Sequence, residues 1–424
     1  MLRAIRHIDF FGNAKYSKVD IIKRVICLNL TELSALLRIA IPIDKLIAYS
    51  PIPDERKAEL CSLELIERLE DRFSLFGEYY DDVVAGFNDL NNDPARWEYL
   101  DILSLYLKDS EMPDAGCLVY PPYIGTPASA IVPLLAHLPS IERLYDNMRH
   151  RGFTHEEAKT TLSIYRQYMY EELHYRGRYV GVSPSISNWM AQFTKGNIFY
   201  PGYAGLNFQL LNIAHNDPYF LRNRHTGEIQ PLFGDGREFH RSGILLGSAG
   251  AQDADGMFTA QFEETDTEYI GNPSRGGLTS REQEHFSKSE WKLVLKPLDR
   301  VLTTHIFFDA DLSPDQLDIA FREAKRMARE YYPECGFKGI YCSSWMMNPM
   351  IGEILGARSK IHGFASRFTR YQKKSAGTMY RSFVFPGKYE TDEELPENTT
   401  LQRAFKKHLL AGGHIYEVPG VIIF

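Results

Sequence analysis

Residues 300–342 decide the fold of this chain, and they read RVLTTHIFFDADLSPDQLDIAFREAKRMAREYYPECGFKGIYC. The segments Arg300–Phe307 and Gly336–Cys342 are predicted strands, because β-branched and aromatic residues are frequent in both. A helix is predicted over Ser313–Tyr332, and it opens with a Ser-Pro pair that suits a helix start. A strand, a helix and a strand in succession indicate an α/β layer in which part of the sheet is parallel.

The rest of the chain after residue 196 is also predicted to be rich in strands. Short β-rich runs lie between Gly, Asn and Asp turns at Asn197–Tyr200, Gly205–Leu211, Gly243–Leu246 and Met257–Phe262. Beyond Cys342 we predict a short helix, two strands, a longer helix and a final strand, at Asn348–Leu355, Ile361–Phe368, Thr378–Phe385, Thr400–Ala411 and Ile415–Phe424.

The first part of the chain carries a helical pattern instead. Over residues Ser17–Lys108 the apolar residues recur every three or four positions, which is typical of amphipathic helices that face a core. A loop rich in Pro and Gly follows at Met112–Pro127, and further helices are predicted at Ala128–Arg149 and Thr154–Arg176. The last of these begins with a Thr-x-x-Glu capping box at Thr154.

These patterns predict the fold class and the domains. We expect an α+β or α/β protein with a helical N-terminal domain, residues 1–150, and a mixed-sheet α/β domain, residues 151–424. Residues 151–195 would form a helical opening segment of the second domain, and residues 196–424 its sheet-rich part. A length of 424 residues fits two domains.

The composition limits the classes of function. A net charge of -7 offers no general attraction to nucleic acid or to anionic membranes, so neither is an expected partner. No secretory signal and no membrane span is recognisable, and a cytoplasmic protein is therefore expected. The five cysteines are irregularly spaced, which argues against a disulfide scaffold and against a structural metal site. The sequence leaves the oligomeric state open.

Several strings of the second half follow one another in a distinctive order. His305-Ile306 ends a predicted strand, Tyr341–Pro349 reads YCSSWMMNP, and Ser359-Lys360-Ile361 comes next. In this order they resemble the C-terminal domain of a bacterial acyltransferase family described as GNAT-like. The upstream strings Arg151-Gly152-Phe153 and Gly205-Leu206-Asn207-Phe208 resemble further parts of the same family.

The resemblance implies an enzyme that moves an acyl group from acyl-CoA or acetyl-CoA to a small-molecule acceptor, with an amine as the first expectation. Such a domain accelerates the reaction by holding thioester and amine together. It implies a splayed pair of strands for the pantetheine arm and amide donors at a helix start for the diphosphate. In this chain the strand at 300–307, the loop at 308–312 and the helix from Ser313 would hold the carrier, and the strand at 336–345 would form the opposite wall.

The chain departs from the family pattern at two places. Phe307–Asp311 stands where the family has Pro and Gly, so that Asp309 and Asp311 would repel a diphosphate. Ser343 stands where the family has a His, which removes one proton carrier. A catalytically inactive GNAT-like binding or interaction module is therefore the alternative to an acyltransferase.

The expected catalytic residues lie at the ends of the two predicted strands. His305 is placed to act as a general base, and Tyr341 or Cys342 is placed to protonate the departing thiolate. Each has an ordinary alternative, which is hydrogen-bonded structure for His305 and core packing for Tyr341 and Cys342. The residues expected to bind substrate or carrier in this region are Ser313, Ser344 and Trp345.

A second polar region lies between the predicted strands upstream. His240 is a further candidate catalytic residue, and Arg241 and Glu264 are candidates for binding an anionic group. Solvated charges on a hairpin are the alternative interpretation. Convergence of His240, Glu264 and His305 in one cleft would predict an acid/base site, and a different hydrolase or transferase that uses the upstream region is a further alternative. Sequence spacing leaves that convergence open.

Overall fold

The structure is a computed structural model that describes residues 53–91, 96–97, 100–101, 103–104, 127–174, 179–182 and 184–424. The helices predicted within residues 17–52 and the loop predicted at 112–126 lie outside the described residues. The chain divides into two compact units, residues 1–199 and 200–424.

The first unit is helical, as predicted. One helix of this unit begins after Ser62, whose hydroxyl accepts a hydrogen bond from Leu65 N at 3.2 Å. The apolar side chains of Leu69 and Phe73 in this helix are buried. The described α-helices, α1 to α8, are Asp54–Leu60, Leu63–Phe73, Tyr80–Asn91, Pro127–Leu135, Ile141–His150, His155–Leu162, Ile164–His174 and Pro184–Thr194. The short strand β1, Ile198–Phe199, ends the unit.

The predicted capping box is confirmed at the start of α6. The Thr154 side chain accepts from Glu157 N at 3.2 Å, and the Glu157 carboxylate accepts from Thr154 N at 2.8 Å. Two N–H groups that the helix leaves without partners are thereby satisfied. The predicted single helix is interrupted at Ser163, so that α6 and α7 are separate elements.

The second unit contains the remaining strands and helices. Its strands β2 to β16 are Leu206–Asn212, Tyr219–Asn223, Ile229–Leu232, Glu238–Phe239, Phe258–Thr259, Phe262–Glu264, Glu268–Gly271, Ser274–Arg275, Leu278–Thr279, Glu284–Ser287, Trp291–Leu295, Arg300–Ile306, Gly339–Ser344, Thr369–Arg370 and Val418–Ile423. Its helices α9 to α13 are Pro314–Tyr331, Ile351–Leu355, Lys360–Ala365, Met379–Val384 and Thr400–Leu410.

The main sheet of this unit is mixed. Its strands run in the order β2, β13, β14, β16, β15, and β13 and β14 are parallel while the other pairs are antiparallel. Helix α9 connects the two parallel strands, so the predicted strand, helix and strand of residues 300–342 are confirmed. Val301, Tyr341 and Val421 of this sheet pack with Phe220 and Phe233 in one apolar core.

Three predicted strands are wrong. Ile361–Phe368 and Thr378–Phe385 contain the short helices α11 and α12 instead, because an apolar run of this length fits either structure and the period does not distinguish them. Gly243–Leu246 belongs to a turn, in which Gly243 has φ +81° and its N–H donates to His240 O. The backbone of a regular strand does not adopt that conformation.

Candidate functional site

The central feature of the second unit is an incomplete ladder between its two parallel strands. β13 and β14 are paired at Leu302 with Ile340 and at Thr303 with Tyr341, and the register includes no later pair although both strands continue. Beyond these positions β13 pairs with β2 and β14 pairs with β16. The two strands therefore separate toward their carboxyl ends, as the family resemblance implies. We call this opening the seam.

One face of the sheet at the seam is polar. Side chains alternate between faces along a strand, and directly opposed residues share a face. Thr303 and His305 on β13 therefore lie on the same face as Tyr341 and Ser343 on β14. Gln209, which is opposite Thr303 on β2, lies on this face too.

His305 is held by a neighbour on β2. Its Nε2 donates to Gln209 Oε1 at 2.9 Å, because an amide oxygen can only accept, and the neutral ring then carries its lone pair on Nδ1. Burial lowers the pKa of His305 to about 4, since the protein disfavours the charged ring. The imidazole is therefore neutral at neutral pH, and its lowered pKa makes it a weak base in the resting structure.

The candidate acids Tyr341 and Cys342 lie in the core. Burial, with the nearby charge of Asp217, raises the pKa of Tyr341 further above its usual value. Burial and the charge of Glu417 raise the pKa of the Cys342 thiol to about 12. Both groups stay protonated at neutral pH, and both are weak proton donors.

The end of β14 is fixed by local hydrogen bonds. Ser343 Oγ donates to Glu417 Oε1 at 3.5 Å, so the position occupied by a family His contacts a carboxylate here. Ser344 Oγ accepts from Met346 N at 3.2 Å, which begins the short 3-10 turn after the strand. Trp345 is buried edge-on against Phe405. Ser344 and Trp345 thus shape the end of the strand, and the structure gives each a local structural partner.

The loop between β13 and α9 holds its second carboxylate in a network. Asp311 accepts from Ser313 N and from Ser313 Oγ, each at 3.0 Å, and from Lys360 Nζ at 2.9 Å. Lys360 and Ser313 lower the pKa of Asp311, because both stabilise the carboxylate. The negative charge of Asp311 is therefore balanced by Lys360, and the Ser313 hydroxyl donates its hydrogen bond to Asp311. Asp309 is exposed.

A family model described as the GNAT-like C-terminal domain matches residues 208–422, just over half of the chain. The chain belongs to this family. The GNAT-like domain thus includes the seam, His305 and the loop to α9, and the predicted family and fold class are confirmed.

Solved structures resemble the GNAT-like domain together with the helical part of the chain. An acyltransferase mutant in complex with octanoyl-CoA has a TM-score of 0.56 at 17% identity, covering 87% of this chain and 94% of that chain. An acyltransferase in complex with decanoyl-CoA and teicoplanin has a TM-score of 0.55 at 18% identity, covering 93% of this chain and 94% of that chain. The likeness is one of fold. No curated protein matches the sequence.

The second polar region of the GNAT-like domain forms its own contacts. His240 Nδ1 is 2.7 Å from Ser242 Oγ, and His240 Nε2 is 3.3 Å from Asp253 Oδ2. Arg241 binds Asp253 and Asp255, and Glu264 accepts from Lys288 at 2.7 Å. These ion pairs are mostly exposed, which favours the interpretation as solvated charges over a site shared with His305.

Two residues of the seam region were not selected from the sequence. Gln209 lies in LNFQLLN, where Asn207 and Gln209 alternate with apolar residues, and that alternation was a usable signal of a polar sheet face. Lys360 is far from Asp311 in sequence, and no local pattern connects the two. Among the described residues no group of His, Cys, Asp and Glu is arranged to hold a metal ion, and no helix is both long and apolar enough to cross a bilayer.

Proposed function

We propose that this protein is an acyltransferase that moves an acyl group from acyl-CoA to an amine. The observation that carries the proposal is the seam beside a neutral His305. A gap between two parallel strands accepts an extended pantetheine arm, and backbone groups freed from the ladder can bind its amides. The acyl-CoA complexes among the similar structures support this choice of donor.

His305 is the proposed general base. As the amine nitrogen attacks the thioester carbonyl, the new C–N bond forms and the C–S bond breaks. The amine proton passes to the His305 ring, and the CoA thiolate leaves with the electron pair of the broken bond. Solvent or the protonated imidazole then supplies the thiolate with a proton, since Tyr341 and Cys342 are weak acids.

Medium-length acyl chains and large acceptors are the first substrates to test. Octanoyl-CoA, decanoyl-CoA and teicoplanin occur in the similar structures, and acetyl-CoA serves as the short-chain comparison. Each acyl-CoA is incubated with the protein, with and without teicoplanin, while free CoA thiol and the mass of the acceptor are followed. Acceptor-dependent thiol release with a matching mass increase is the expected result.

A binding module without activity is the second candidate. It is favoured by the raised pKa values of Tyr341 and Cys342 and by the lowered pKa of His305, which leave the seam without an efficient acid or base. Thermal melts separate the possibilities, because a ligand at 100 times its Kd stabilises the folded state by about 2.7 kcal/mol. Stabilisation by acyl-CoA with acceptor turnover supports the enzyme, whereas stabilisation without turnover, or no stabilisation by any CoA ester, supports the inactive module.

A further inference from the structure

Asn207 has two unpaired polar atoms in the interior. The residue is fully buried on β2, and neither Nδ2 nor Oδ1 has a hydrogen-bond partner in the described structure. A buried polar group that loses its water partners and gains no protein partner destabilises the folded state. The folded chain therefore carries an unfavourable polar group at this buried position.

The register places Asn207 beside the proposed base. Asn207 is directly opposite His305 in the antiparallel ladder between β2 and β13, so the two side chains share one face of the sheet. Thr303, two residues before His305 on the same face, is also buried with an unpaired Oγ1. Unpaired donors and acceptors therefore lie on the face that carries His305.

The strand order places Asn207 on the edge of β13 that faces away from the seam. The seam lies between β13 and β14, whereas β2 borders β13 on its other edge. Neighbouring strands are about 4.8 Å apart, so Asn207 is one strand farther from the thioester path than His305. An amine that approaches His305 from this side would bring its neighbouring atoms to Asn207.

We infer that Asn207 binds an amide group of the acceptor next to its reacting amine. The carboxamide offers a donor at Nδ2 and an acceptor at Oδ1, and an extended amide chain presents a C=O and an N–H to match them. Peptide-like amines are therefore the substrate class of this site. The inference rests on the proposed function, and Asn207 acts as a positioning residue because it orients the amine toward His305.

Two small acceptors that differ in one atom test the inference. N-methylglycinamide carries an amide beside its amine, and glycine methyl ester replaces that N–H with oxygen. With decanoyl-CoA as donor, wild-type protein is expected to favour the amide by about 10-fold in kcat/KM, the value of one hydrogen bond. Asn207→Leu removes both polar atoms and should abolish this preference.

Control variants separate binding from folding. Asn212→Leu changes an exposed residue of the same strand and should preserve the amide preference. Asn207→Gln retains the carboxamide and should retain part of it, while Asn207→Ala serves if the leucine variant does not fold. The apo melting temperature of Asn207→Leu should equal or exceed that of wild type, because the unpaired amide is gone.

The outcomes distinguish this inference from the proposed function. An equal amide-to-ester ratio in wild type and Asn207→Leu overturns the inference while acyl transfer stands. Weaker CoA binding by Asn207→Leu, with 3′,5′-ADP binding unchanged, assigns the amide contact to pantetheine and overturns the acceptor assignment. Wild-type protein that binds acyl-CoA but acylates no amine overturns the inference. Wild-type protein that binds no acyl-CoA overturns the proposed function itself.

Discussion

Gly205 and Ala310 approach each other so closely that no side chain fits between them. A Cβ on Gly205 would lie 2.9 Å from Ala310 Cα, and Gly205 has φ +66°, which favours glycine. Gly205 O also accepts a hydrogen bond from Phe307 N at 2.9 Å. The start of β2 thus holds the loop that follows His305 at the proposed diphosphate entrance.

The first prediction concerns this contact. Gly205→Ala should destabilise the protein by about 1–3 kcal/mol, because it combines a strained backbone with a clash against the Ala310 main chain. The loop should move, and acyl-CoA should bind more weakly. Urea unfolding and calorimetry of decanoyl-CoA binding measure the two effects. Gly196→Ala is the matched control, since Gly196 also has positive φ but its added Cβ meets nothing within 4 Å. Equal affinity in the two variants would contradict the proposed role of the contact.

The second prediction concerns the charge on the same loop. Lys360→Met leaves Asp311 without its lysine beside the proposed diphosphate site, so acyl-CoA binding should weaken by about 2- to 5-fold at low salt. Asp311→Asn should strengthen it, and about 1 M salt should reduce both effects. Lys388→Met, which changes an exposed lysine elsewhere, is the control. Affinities that do not differ among these variants would show that the diphosphate binds elsewhere.

The third prediction concerns the two buried candidate acids. Tyr341→Phe and Cys342→Ala should each keep the turnover rate within about 3-fold of wild type, because neither group is an efficient acid at its raised pKa. Cys342→Ala should cost about 1–2 kcal/mol through the volume it removes from the core. Steady-state kinetics and urea unfolding provide the two measurements. If turnover by Tyr341→Phe falls by about two orders of magnitude while acyl-CoA affinity is unchanged, that hydroxyl is the acid after all.

The strand, helix and strand that create the seam were predictable because the pattern is local. Residues 300–342 carry their own strand and helix signals, and their connection by one helix implies the parallel pair. The partners of His305 and Asp311 were not predictable in the same way. The tertiary fold brings Gln209 to His305 and Lys360 to Asp311. The members of each pair are far apart in sequence, so no local pattern connects them. The strands predicted near 361–368 and 378–385 failed because tertiary context decides short apolar runs.

The fourth prediction concerns His305 as the base. His305→Ala should slow turnover by about 100- to 10,000-fold while acyl-CoA binding is retained, because a general base acts in the transition state. Gln209→Leu removes the hydrogen bond that orients the ring and should have a smaller effect. The pH profile of wild-type kcat/KM should not show an acid limb at the ordinary histidine pKa, since the pKa of His305 is about 4. Full activity of His305→Ala at saturating acceptor would exclude this role.

The last prediction connects the same histidine with stability. The folded pKa of His305 is about 4 and the unfolded value is 6.5, so the unfolded chain takes up the proton first as the pH falls. The contribution of the neutral His305 ring to the free energy of unfolding is present above about pH 6.5 and is lost as the pH falls toward about 4. Between about pH 7 and about pH 5 the loss is at most about 2 kcal/mol. His305→Gln has no proton to gain, so the difference in unfolding free energy between wild type and this variant should shift in favour of the variant over that interval. Urea unfolding at both pH values measures the shift, and parallel curves for the two proteins would mean that the ring remains accessible to protons in the folded state.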